Sequence, residues 1–157
     1  MIARPATPED ADELVRLRAV MLGSLNHGAW DDQWREPTRR LLVGKLGDPV
    51  AALAAYVVDR PAGPGLAACA VGTIEQRLGS PGNPDGRSGY VFSVATDPDM
   101  RRRGFSRACL TGLLEWFAGR GVRRVTLMAS PDGEALYESL GFARSVEPAM
   151  RLRLDDR

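Results

Sequence analysis

The chain has 157 residues, 44% hydrophobic and 26% charged, with 21 basic against 20 acidic side chains. That is enough for one folded domain with its own core. The net charge of +1 excludes a global pull toward nucleic acid or a membrane surface, so an anion must be held by a local cluster.

No apolar run approaches the ~20 residues that span a bilayer, and Met1 to Pro5 carry no apolar signal region. Cys69 and Cys109 lie in apolar segments without metal-ligand spacing and are read as small buried hydrophobes. A cytoplasmic address and no metal site are the expectations.

In chain order, residues 2–6 are a short strand candidate. Thr7-Pro8-Glu9-Asp10 predicts a helix start, with a hydroxyl cap, a proline at the first helical position and two acids in the positive first turn. Ala11, Leu14, Leu17 and Met21 follow at helical spacing, and Gly23 with Asn26-His27-Gly28 ends the helix. A second helical stretch covers residues 30–46, from Trp30, with Trp34, Leu41, Leu42 and Leu46 buried. Pro37 either kinks it or opens a fresh helix in its own first turn.

Residues 50–58 are almost continuously apolar, which predicts a strand covered on both faces. Turn residues at 60–65 join it to a second hairpin arm at 66–78. Residues 79–86, with two prolines and three glycines, are either a mobile substrate-side loop or a plain surface connection. A third strand, 89–96, runs into a basic turn, and a helix over 103–119 follows with Leu110, Leu113, Leu114 and Phe117 as its apolar stripe. Gly121 suits its left-handed stop.

Residues 122–129 predict another strand. Ser130-Pro131-Asp132 opens a helix carrying Leu136, Tyr137 and Leu140; Gly141 stops it and Phe142 packs back. Residues 142–143 begin a strand, and Met150-Arg151-Leu152-Arg153-Leu154 alternates strictly, as a half-buried last strand does. The order β, α, α, β, β, β, α, β, α, β, β predicts a single α+β domain over residues 1–157, with a mixed sheet and helices on both faces.

One stretch organises the rest: Val94-Ala95-Thr96, then Asp97-Pro98-Asp99-Met100, then Arg101-Arg102-Arg103-Gly104-Phe105-Ser106-Arg107-Ala108. Strand, tight turn and helix start make an anion site, because free N–H groups at a helix start point outward and its dipole favours negative charge. Gly104 lets a phosphate approach the backbone, and the arginines add fork-shaped donors. A solvated charge run is the bland alternative, weakened by this context.

Here the sequence resembles the GNAT N-acetyltransferase family along nearly its whole length. Arg101-Arg102-Arg103-Gly104-Phe105-Ser106 is similar to that family's coenzyme A motif, and Ala135-Leu136-Tyr137-Glu138-Ser139-Leu140-Gly141-Phe142 to its later tyrosine signature. Ser106 departs from the usual Gly or Ala. An Asn common before the tyrosine helix is absent, with Ser130 and Asp132 in its neighbourhood.

The resemblance implies a mostly antiparallel sheet of about seven strands and an acetyl-CoA co-substrate. It implies acetyl transfer to the primary amine of a small molecule or peptide by direct attack, without nucleic acid or membrane partners. A homodimer fits it, since family members often dimerise. A coenzyme A-binding domain without catalysis is the alternative. The residues implied for the cofactor are Val94, Ala95 and Thr96, with Arg101, Arg102, Arg103, Gly104, Phe105, Ser106, Arg107 and Ala108. Tyr137 is implied as the acid that protonates the leaving thiolate. For the base that frees the amine, Glu75 is the first candidate, ahead of Glu36, Asp31, Asp32 and His27.

Overall fold

The apolar runs become strands, though not over their full lengths. The computed structural model describes residues 2–25 and 31–156. Its strands are β1 (Arg4–Pro5), β2 (Leu53–Asp59), β3 (Leu66–Gln76), β4 (Arg87–Thr96) and β5 (Val125–Leu127). They form one sheet in sequence order. β1 to β4 pair antiparallel and β5 joins β4 in parallel.

The helices are α1 (Ala11–Ser24), α2 (Arg35–Lys45), α3 (Phe105–Gly119) and α4 (Glu134–Ser139). Leu14 and Leu17 of α1 and Leu42 of α2 pack with Ala55, Val57 and Val71 on one face of the sheet. Leu110, Leu113 and Phe117 of α3 pack with Ala67, Ala70 and Val91 on the other.

Most local signals at the helix ends hold, but the start expected at Ser130-Pro131-Asp132 is a turn, and α4 begins at Glu134 with Gly133 before it. Thr7 donates its N–H to Asp10 Oδ2 at 2.8 Å, and a turn of 3-10 helix at Pro8–Asp10 leads into α1. Pro37 is the third residue of α2, where its missing N–H would have had no helical partner anyway. The fresh-start reading is therefore the right one. Phe142 meets the Tyr137 ring edge-on, with centroids 6.1 Å apart. Leu41 is corrected: it is 49% exposed while Leu42 is buried, since successive helical side chains point about 100° apart. Trp30 and the Asn26-His27-Gly28 stop lie outside the described residues.

The sheet has five strands, not about seven. Residues 143–155 are all exposed, Met150 and Leu154 strongly so, and none of them joins the sheet. Strict alternation reports a two-faced segment but does not supply a partner for it. The strand expected over 122–129 is paired only at Val125–Leu127.

The Phe117 ring of α3 rests on the backbone of two neighbouring strands that carry no side chain beneath it. A Cβ on Gly72 of β3, or on Gly89 of β4, would sit 2.8 Å from the Phe117 ring. Gly89→Ala is therefore expected to lower unfolding stability by about 1–3 kcal/mol. Urea denaturation will show part of that loss recovered when Phe117→Leu is added; additive losses would mean that the ring does not set the spacing.

Candidate active site

β4 outruns its neighbour. Its pairing with β5 covers Gly89 to Val91 and stops, while β4 continues to Thr96, so the edge facing β5 is open from Phe92 onward. β4 also holds one residue more than β3. Phe92 pairs with Val71 and Ala95 with Cys69, leaving Ser93 and Val94 opposite Ala70 alone. Ser93 takes a left-handed φ of 55° to absorb the extra residue, as in a β-bulge. Cys69, fully buried, donates its thiol hydrogen to the Ser93 carbonyl at 3.3 Å.

A cavity of about 950 Å3 opens where β4 and β5 part. Val94, Ala95 and Thr96 line it, and so does the basic turn through Arg101, Arg102, Gly104, Phe105, Ser106 and Arg107. Arg102 has φ 64° and Gly104 φ 80°, left-handed positions of the kind from which anion-holding concavities of backbone N–H groups are built. Arg101, Arg102 and Arg103 have no hydrogen-bond or ion-pair partner among the described residues, and Arg107 donates only to Ser139 Oγ, at 2.7 Å. The cavity side of the turn thus offers backbone donors and acid-free guanidiniums, which fits a pyrophosphate.

Two of the expected cofactor residues are placed differently. Arg103 is exposed and Ala108 packs in the α3 core; neither lines the cavity. Ser106 lines it, but its hydroxyl is hydrogen-bonded to the Thr96 hydroxyl, tying the helix start to the strand end.

Tyr137 lines the opposite wall, and burial pushes its phenol pKa up, so it keeps its proton at neutral pH. Burial also drives the Cys69 thiol up to about 12 and raises Cys109 further. Neither is a thiolate at neutral pH, which removes both as nucleophiles.

Glu75 is not brought to the site. It stands opposite Ser88, outside the cavity, and its carboxylate accepts from Arg77 Nη2 at 2.9 Å. Position within a strand does not tell which end of the sheet holds the ligand. Glu36 pairs with Arg39 and Arg40, and Asp32 with Arg35. Asp31 accepts from the Gln33 N–H; His27 lies outside the described residues.

The sequence missed Asp132 as a cavity residue; among the described residues it is the only carboxylate on the cavity wall. Also missed were Met21, Ser24 and Leu25 at the end of α1, and Arg151 from the C-terminal segment. Of these, only the missing Asn near Asp132 gave a hint.

Residues 79–86 prove to be a plain connection. Ser80 and Asn83 exchange backbone hydrogen bonds of 3.0 and 2.9 Å, and Arg124 Nη2 donates to the Pro81 carbonyl at 2.7 Å. None of these residues lines the cavity.

The profile of the acetyltransferase (GNAT) family matches residues 12–142, and the chain belongs to that family. It is 42% identical over 55 residues to the [ribosomal protein bS18]-alanine N-acetyltransferase of Escherichia coli K12, a match spanning 33% of this chain and only 37% of that protein.

Among solved structures it resembles a predicted acetyltransferase with acetyl-CoA from Clostridium acetobutylicum. The TM-score is 0.84, with 22% identity over 99% of this chain and 97% of the other. It also resembles a ribosomal-protein-alanine N-acetyltransferase from Brucella melitensis, with TM-score 0.68 and 21% identity over 98% and 100% of the two chains. These two likenesses are of fold. No helix among the described residues is long and apolar enough to cross a membrane.

If the Ser106 hydroxyl serves Thr96 rather than a phosphate, Ser106→Ala costs about 0.5–1.5 kcal/mol of stability in urea unfolding. Acetyl-CoA affinity measured by calorimetry then stays close to wild type. A large affinity loss with unchanged stability would assign the hydroxyl to the ligand.

Proposed function

We propose that the protein transfers the acetyl group of acetyl-CoA to a primary amine by direct attack in a ternary complex. The observation that carries this reading is the cavity itself, which brings the open β4 edge, the basic turn and the half-buried Tyr137 phenol around one space. The N–H groups of Gly104, Phe105 and Ser106 hold the pyrophosphate, with Arg101, Arg102 and Arg107 around it. An N–H group of the open segment at Val94 to Thr96 hydrogen-bonds the thioester oxygen and stabilises the charge that develops there during attack.

Tyr137 gives its proton to the departing thiolate. The transfer runs in step with C–S cleavage, so no free thiolate has to leave, and the phenolate then regains its proton from water. Asp132, in place of Glu75, takes the proton that the ammonium must lose, directly or through water. The burial of both cysteines, which rules out a cysteine acyl-enzyme, supports direct attack.

The acceptor is a primary amine. The similarity to a ribosomal-protein-alanine acetyltransferase makes a peptide with N-terminal alanine the first substrate to try. A cytoplasmic address is compatible with the absence of a spanning helix.

The test is thiol release from acetyl-CoA across a panel of amines and N-terminal peptides. Tyr137→Phe is expected to lower kcat by about 10²–10⁴-fold while calorimetry shows acetyl-CoA bound as in the wild type. Equal turnover by Tyr137→Phe would remove the acid role. Tight acetyl-CoA binding with no thiol release for any amine would favour a binding domain instead.

A further inference from the structure

The coenzyme A turn has a second side. The carboxylate of Asp97, only 5% exposed as a residue, points away from the cavity and is shared by two arginines. Arg16 of α1 donates to its Oδ1 at 2.8 Å and to its Oδ2 at 2.9 Å. Arg60, from the β2–β3 connection, donates to Oδ2 at 2.7 Å and, with its other nitrogen, to Asp99.

Arg16 is itself held by Glu13, at 2.6 Å and 3.0 Å, and by the Leu66 carbonyl at 3.2 Å. Glu13 accepts in turn from the Leu66 N–H at 2.8 Å. Asp97 also closes the ladder, its N–H donating to the Ala67 carbonyl at 2.9 Å, and its own carbonyl accepts from Met100 N–H at 2.9 Å. Every acid in this cluster has a guanidinium partner.

The cleft formed by this cluster and the cofactor cavity share no lining residue, so the cluster stands behind the turn and outside the cavity. Its position gives it another task. Five residues after Asp97, Arg102 adopts a left-handed φ of 64°, which costs a non-glycine residue about 1–2 kcal/mol. Such a conformation persists only where its surroundings over-determine it. The cavity side of the turn supplies no acid to hold it, since Arg101, Arg102 and Arg103 are unpartnered. Among the described residues, the fixed charges that grip the turn lie behind it.

We propose that Arg16 and Arg60 are positioning residues for acetyl-CoA, which by sharing Asp97 lock the turn into the shape that aims its N–H groups at the pyrophosphate. They touch no substrate. The inference rests on the acetyl-CoA reading of the cavity, and it separates two sets of arginines. Those behind the turn shape it, and those in front meet the phosphates.

The test compares Arg60→Gln, Arg60→Lys, Asp97→Asn and Arg4→Gln in the full-length protein. Arg4 is the matched control. It joins Asp10 and Asp59 in an ion-pair cluster of similar geometry that does not touch the turn. Calorimetry gives Kd for acetyl-CoA, thiol-release kinetics give KM and kcat, and thermal unfolding gives stability.

Arg60→Gln and Asp97→Asn are expected to raise both Kd and KM for acetyl-CoA about tenfold, a size in the usual range for coupling through a structural element. The kcat at saturating acetyl-CoA and the KM for the amine should stay near wild type. Arg60→Lys recovers part of the affinity, while Arg4→Gln lowers the unfolding midpoint and leaves Kd unchanged.

Should Asp97→Asn fail to fold, Arg60→Gln, which keeps the Arg16–Asp97 pair, decides alone. Wild-type Kd in Arg60→Gln, or an equal rise in Arg4→Gln, overturns the positioning role. A wild-type protein that bound no acetyl-CoA would instead overturn the acetyl-CoA reading, and this inference with it.

Discussion

The active site depends on a mismatch of strand lengths. β4 carries one residue more than β3 can pair and runs five residues past the last one that β5 accompanies. A strand in a regular sheet spends its N–H and C=O groups on its neighbours. Here the extra residue turns Ser93 left-handed, and the early end of β5 leaves one edge of β4 without a ladder. The cavity is that gap, and its polar wall is backbone that the fold has left unpaired. Cys69 shows what such a gap demands. Its thiol, too buried to ionise, is the hydrogen-bond donor to the Ser93 carbonyl at the bulge.

Electrostatics divide along the same line. On the hidden side of the turn each carboxylate has an arginine. Asp97 is held below the usual carboxylate range by Arg16 first, with Arg60 adding to the effect. On the cavity side the arginines have no acids. Neutralising them from within the protein would cost the ligand its partners, and leaving Asp97 unpaired at 5% exposure would cost several kcal/mol. The near-zero net charge therefore hides a local separation, with paired charges behind the turn and arginines without acid partners, among the described residues, in front of it.

Much of this was legible in the sequence. The strand, turn and helix around Gly104 and the Tyr137 helix each carry local signals, namely caps, stops and periodicity, which depend on few neighbours. What was not legible depends on distant ones. Arg16 and Arg60 stand 81 and 37 residues from Asp97, and no spacing rule connects them. Glu75 was placed correctly in its strand, yet at the wrong end of the sheet for chemistry. The β5 run looked like a longer strand because apolar residues continue past Leu127; they continue there as cavity wall. Alternation at Met150 to Leu154 likewise described a segment with two faces, and the structure leaves both exposed.

The central claim is that unpaired backbone at the end of β4 and in the basic turn forms the acetyl-CoA site. Amide hydrogen exchange with and without acetyl-CoA tests it most directly. The amides of Val94, Arg102, Gly104, Phe105 and Ser106 should gain protection on binding, while those at the far end of the β3–β4 hairpin, from Glu75 to Arg87, stay as they were. Protection confined to the far end, or none at the turn with acetyl-CoA demonstrably bound, would contradict the account.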